Sequence, residues 1–377
     1  MAGNTLALGQ TPAAGEESVQ PAAAEARRFR GDDGWLDVSG FLDEAYGFVP
    51  IAVPITEPAV GLGGAGALMF IDKPIGEAAA GFGRPNITVV GGFGTDNGTK
   101  GAFAGDMRHW LDDRLKTLVG VAEASVNLDF YGVGRDPRLE RNPQAYNLEI
   151  RAALGQARYR IGNTPAWIGL GYVAAEVAAS ADILPGLQRL PDLQRTTRIG
   201  GLLPHLSYDS RNNIFTPTEG NYLEASAGLF SKELGSDNDF QRVSLNAMHF
   251  RPLARTLTFG IMGSSILSYG DVPFYLRPFV MLRGIPAMRY QGDYAAQAEA
   301  ELRWQFWQRF SLVGFAGAGT AWNASGRRDT SQEAVAGGVG FRYEIARKYG
   351  LHMGIDVAWG PDGPAWYVQV GSAWARP

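Results

Sequence analysis

Apolar and polar residues alternate along most of this chain, and that alternation constrains the fold more than any other feature. Ala122, Ala124, Val126, Leu128 and Phe130 fall on one face of an extended segment, and Glu123, Ser125, Asn127 and Asp129 on the other. The same period runs through Tyr146–Gly155, Leu223–Leu229 and Leu351–Trp359. Such segments recur from about Phe48 onward, and each is roughly 9–14 residues long, the length of a strand tilted across a bilayer. A soluble sandwich shows the same alternation. No stretch reaches the roughly 18 consecutive apolar residues of a membrane helix; the longest glycine-and-apolar run, Ala59 to Ile71, is shorter. A membrane chain of this kind has to close into a barrel, because only helices and barrels satisfy every backbone group in hydrocarbon.

The connections support a membrane barrel. Short turns are expected near His109–Leu115, Gly162–Pro165, Arg251–Arg255, Trp307–Phe310 and Ala346–Tyr349. Longer loops are expected near Gly132–Ala145, Ser180–Arg195, Lys232–Asp239, Asp271–Gln291 and Asn323–Gln332. Short and long alternate, as the two ends of an outer-membrane barrel do. With a first strand at Gly47–Thr56 and both termini periplasmic, the parity gives about sixteen antiparallel strands. Pro50 and Pro54 lie in that first strand and cannot donate to a ladder, so the barrel is expected to close there. The last strand is expected over Tyr367–Trp374, with an aromatic near its end. Residues 47–377 are thus read as barrel and 1–46 as a leader. Residues up to about 33 are rich in Ala, Glu, Pro, Gln and Gly and read as disordered. Trp35–Tyr46 is spaced as a short amphipathic helix. Met1–Gln10 lacks a clear secretory signal, so the start is expected to be processed or truncated.

Composition narrows the chemistry. Glycine makes up 50 of 377 residues, nearly twice the usual share, which suits curved strands or strands that leave room in a lumen. The 14 tyrosines and 9 tryptophans suit interfacial girdles. Without cysteine there are no disulfides, thiolate metal sites or cysteine nucleophiles. A net charge of −4 with no long basic run argues against nucleic acid as a partner. Gly61, Gly63 and Gly66 make a formal GxGxxG, but a second strand-like run follows where a dinucleotide site needs a helix. His109, His205, His249 and His352 are scattered, with neither metal-ligand spacing nor a nucleophile elbow. No catalytic residue, metal or cofactor is expected.

Two segments carry more information. Tyr208–Gly220 reads as a strand end, a polar turn with proline, and a glycine opening the next strand; Asp209 and Arg211 share a face. Asp271–Gln291 is long and too aromatic to dangle in water, and folding back into the lumen would bury it. Its Arg283 would then need a carboxylate, and Glu299 and Glu301 lie on the polar face of the next strand.

Together these segments resemble the bacterial surface-antigen superfamily of outer-membrane barrels, which includes barrel-assembly and two-partner-secretion proteins. Asp209, Arg211, Asn213, Pro217 and Gly220 match that family's turn motif, and Leu282-Arg283-Gly284-Ile285 resembles its loop motif. Glu301-Leu302-Arg303 and Phe315–Trp322 resemble the strand motifs that follow. The resemblance implies a loop plugging the lumen, with Arg283 held by Glu301, Glu299 or Asp356. Gly317 stands where the family has an acidic residue that helps hold the arginine, so those carboxylates, or Glu57, would do that work. The segment before residue 47 is too short for periplasmic POTRA domains, so the barrel is expected to stand without them. The implied function is a loop-occluded, non-enzymatic pore related to protein translocation or outer-membrane assembly. Its expected surroundings are outer-membrane lipid and lipopolysaccharide, with a translocated polypeptide or a periplasmic accessory protein as partner. A passive diffusion porin and an outer-membrane hydrolase are the alternatives.

Overall fold

The computed structural model describes residues 29–43, 47–72, 86–134, 136–181, 196–324 and 331–374. Sixteen strands form one antiparallel sheet whose spatial order is the chain order. They are β1 (Gly47–Ile55), β2 (Gly63–Ile71), β3 (Ile87–Thr95), β4 (Lys100–Trp110), β5 (Leu115–Phe130), β6 (Gln144–Arg160), β7 (Ala166–Ala181) and β8 (Thr196–Asp209). The second half comprises β9 (Gly220–Phe230), β10 (Phe240–Ala254), β11 (Leu257–Gly270), β12 (Tyr294–Trp307), β13 (Phe310–Trp322), β14 (Gln332–Ala346), β15 (Leu351–Gly360) and β16 (Gly363–Val370). The sheet curls into a nearly closed barrel. Each short turn and long loop expected from the sequence connects strand ends at the end assigned to it, although most of 180–195 and 323–332 lies outside the described residues. The end shared by the termini also holds two long connections, 72–86 and 210–219.

The segment 271–293 identifies the interior. Phe274 packs edge-on against Phe130 of β5 and Tyr146 of β6, with ring centroids 5.4 Å away in both cases. Val280, Leu282 and Ile285 are buried with Ala295 of β12, Ala321 of β13, and Ala334 and Ala336 of β14. Widely separated strands thus turn these side chains toward one interior. Register carries the assignment around the sheet, because paired residues share a face. The other face exposes Ile168, Leu170 and Tyr172 on β7, Leu302, Trp304 and Phe306 on β12, and Val335, Val339 and Phe341 on β14. So large an apolar band faces lipid in a membrane barrel.

β1 pairs with β2 from Gly47↔Ile71 to Ile55↔Gly63, straight through Pro50 and Pro54. Among the described residues no ladder joins β1 to β16, and Val368 N–H donates to Thr56 Oγ1 at 3.4 Å across the gap. The seam lies where the prolines place it.

Three local expectations change. Of the helix expected over 35–46, the described residues form α1 (Ser39–Asp43), which starts late because Asp37 accepts the Ser39 N–H at 2.7 Å; residues 44–46 lie outside the described residues. Ahead of it, Trp35 is held edge-on by Trp307 and Phe310. The second helix, α2 (Pro137–Arg141), lies in the 131–143 loop. The last strand stops at Val370 instead of Trp374. Gly371, at φ +78°, donates to His352 O at 2.7 Å and turns the chain inward. Gly61–Gly66 is a turn and the start of β2, with no helix following. Of the leader read as disordered, residues 1 to about 33, residues 1–28 lie outside the described residues, while residues 29–33 are described and Asp33 is held by Arg309.

Candidate functional site: an arginine loop inside the barrel

The 271–293 segment leaves β11, packs against the inner face and returns to β12. Glycines in the wall make room for it. A Cβ on Gly360 would lie 2.0 Å from the Gly284 carbonyl oxygen, too close for either backbone to keep its place. Gly284 has φ +92°, which a larger residue adopts only under strain, and its N–H donates to Tyr367 Oη at 2.9 Å. Glycine is therefore used on both sides of the contact.

That seat places Arg283 over the strand wall. Its Nη2 lies 2.6 Å from Glu299 Oε1 and 2.9 Å from Glu301 Oε2, and its Nη1 is 2.8 Å from Asp356 Oδ2. The guanidinium lies 3.5 Å from the centre of the Phe315 ring. Glu299 and Glu301 are two residues apart on β12 and share its inner face, while Asp356 comes from β15. Asp356 is fully buried (0% exposed) and also takes two hydrogen bonds from Arg342, at 2.5 and 2.9 Å. Burial pushes the Arg283 pKa down, but Glu301, Glu299 and Asp356 outweigh it and leave the pKa above its ordinary value. The arginine stays charged.

Gly317 lies directly opposite Glu299 in the β12–β13 ladder. A Cβ there would come within 2.9 Å of Leu282 Cδ2. The missing acid thus leaves space for the loop leucine, and Asp356 supplies a third carboxylate from two strands away. Glu57 does not reach Arg283; it accepts the Ala287 N–H at 3.1 Å, and burial raises its pKa. Leu282 and Ile285 are apolar anchors on either side of the Arg283-Gly284 pair.

The turn motif sits at the terminal end. Arg211 holds Asp209 with two hydrogen bonds of 2.8 Å and stacks on Tyr222. Asn213 donates to Tyr349 O at 2.7 Å, and Arg303 of β12 donates to Pro217 O at 3.1 Å. Gly220 has φ +106°, and a Cβ there would fall 2.3 Å from Ser210 O, so the turn closes only around glycine. The motif thus links β8–β9 to β12 and to the β14–β15 turn.

Several contacts had no clear sequence signal. Trp374 is buried with Tyr222, Met248, Phe250 and Met262, and its Nε1 donates to Glu299 Oε1 at 2.6 Å. The tail and the loop arginine therefore share one carboxylate. Arg289 pairs with Asp362 at 2.9 Å. In the leader, Asp33 and Asp37 hold Arg309 of the β12–β13 turn, at 2.6 and 2.8 Å. Among the described residues no cluster is arranged to hold a metal ion.

This geometry defines a class, a sixteen-stranded transmembrane barrel with a long loop anchored inside by a buried arginine. Within that class, residues 192–362 match the family model of the Omp85 superfamily domain. That span holds the turn motif, the loop arginine and all three of its carboxylates. BamA from Haemophilus ducreyi lacking POTRA domains 1–3 has a similar structure, with a TM-score of 0.59 and 13% identity over 93% of this chain and 81% of that one. CdiB from Escherichia coli gives 0.58 and 12%, over 85% and 61%. CdiB from Acinetobacter baumannii gives 0.54 and 10%, over 86% and 58%. The chain thus spans under two thirds of either CdiB. At these identities the likeness shows the fold. No curated protein sequence matches the chain.

Proposed function

We propose that this barrel resides in the outer membrane as a loop-occluded pore related to protein translocation or outer-membrane assembly. The end holding the termini would face the periplasm, and the 271–293 loop would enter from outside. The observation that carries the reading is Arg283 bound to three carboxylates on two strands. A porin needs an open lumen. Here the loop fills part of one end, while the 210–219 turn and the 371–374 tail reach inward at the other. The partners that fit are a polypeptide in transit and a periplasmic accessory protein, with lipid and lipopolysaccharide around the wall. The Omp85 match favours this role over that of a hydrolase.

Planar-bilayer recording of the native protein tests the proposal. Small, intermittent openings are expected. A large, steady conductance would instead identify a passive diffusion porin.

A further inference from the structure

The interior has two unlike walls. β12–β15 turn Glu299, Glu301, Arg342 and Asp356 inward. The register of β1–β4 turns Val49, Ile51 and Ile55 inward, with Met69 from β2, and Val89 and Phe93 from β3. No charged side chain stands on the inner face of β1, β2 or β3. Their outer faces are also largely apolar, with Phe48, Leu68 and Val90 exposed. The alternation that marks the other strands is lost here, where a water-filled lumen would call for polar residues.

Most of this wall is half-buried, with Ile71 buried at the terminal end of β2. The loop packs on β5–β7 and β12–β15, touching this side through the Glu57–Ala287 contact. Val53 faces inward, paired with Ala65, and is 44% exposed. Apolar area left in water costs about 25 cal/mol per Å², so an apolar occupant is favoured. The wall ends at β1, whose far edge has no ladder to β16 among the described residues. There the inner and outer apolar faces of β1 meet at one unladdered edge, bridged among the described residues by the Val368–Thr56 hydrogen bond, so the inner wall lies one strand away from the lipid-facing surface.

We propose that the inner face of β1–β4 binds the alkyl chain of an amphiphilic lipid, with the polar part of the molecule toward the charged wall. A polypeptide fits less well. Val, Ile, Met and Phe side chains offer no hydrogen bonds, so a peptide backbone against them would leave its N–H and C=O groups unsatisfied. An alkyl chain has no such groups. The inference rests on the membrane-barrel reading and not on loop occlusion, so failure of the Arg283 test leaves it standing.

Neighbouring residues on opposite faces give the test. The chain has no cysteine, so Val89→Cys (inward) and Val90→Cys (outward) can each carry a single fluorophore in the full-length protein in phospholipid bilayers. Quenching by a phospholipid with a nitroxide on its alkyl chain is compared with quenching by aqueous iodide. Lipid quenching is expected at both positions, with loss of it at Val89→Cys when Ile51→Gln is added. Iodide quenching without lipid quenching at Val89→Cys would overturn the proposal and mark an aqueous lumen. Shielding from both quenchers, relieved by removing residues 2–28, would overturn it too and make the leader the occupant.

Discussion

Replacing Arg283 with methionine keeps much of the side chain's length and removes its charge. In the native cluster Arg283 and Arg342 pair with three carboxylates; in the variant only the Arg342–Asp356 pair remains. Glu299 keeps Trp374 and Asp356 keeps Arg342, while Glu301 loses its salt bridge and keeps only the field of Arg303, so it suffers most. Breaking a buried ion pair from one side costs about 3–5 kcal/mol, chiefly through the charge left behind. At about 1.4 kcal/mol per tenfold, the balance between docked and released loop shifts by roughly two to four orders of magnitude. The apolar anchors Val280, Leu282 and Ile285 remain, so the barrel itself should fold. In planar bilayers Arg283→Met should open more often and to higher conductance, and its heat-modifiable gel shift should occur at lower temperature. Adding Glu301→Gln removes the orphaned charge and should recover part of both losses. Native-like conductance and heat stability in the single variant would refute the argument that this cluster holds the loop.

Two other perturbations test separate contacts. Gly360→Ala puts a methyl group against the Gly284 carbonyl and should destabilise the docked loop by about 1–3 kcal/mol, read as more frequent openings with unchanged strand content by circular dichroism. The leader contact should be lost in acid. The hydrogen bond from Arg309 holds the Asp33 pKa down at about 2; at Asp37 burial acts upward, but hydrogen bonds from Ser39 and Arg309 prevail and lower it. Carboxylates with lowered pKa values stabilise the folded contact above their ordinary range near 4, and lose that contribution as pH falls toward 2. Pepsin should therefore spare residues 29–43 at pH 4 and cut them as the pH approaches 2; equal cutting at both would contradict the contact.

What the sequence reveals depends on how local each signal is. Strands such as β5 and β6 are legible because an apolar-in-step pattern needs only neighbouring residues. The connection ends are legible because parity accumulates along the chain. Glu299 and Glu301 are legible as a pair because two residues along a strand return to the same face. Arg342, Phe315 and Trp374 are not, because their roles depend on which strands meet across the interior. Trp374 misleads for a particular reason: it continues the alternation of β16, and only the turn at Gly371 carries it into the lumen. Gly317 looks like a lost carboxylate until the space it gives Leu282 is seen. The two-faced apolar character of β1–β3 was visible in GFVPIAVPI and GGAGALMFI, but its meaning required the register that says which face is inside.

The central claim is that the loop motif lies inside the barrel. It is tested most directly by single cysteines at Met281 and Ile285, which are 41% and 3% exposed. Intact cells or sealed vesicles would be treated with a bulky, membrane-impermeant maleimide. Met281→Cys should label readily, and Ile285→Cys only after unfolding. Labelling of Ile285→Cys at the rate of Met281→Cys in the folded protein would place the motif outside the barrel and contradict the account.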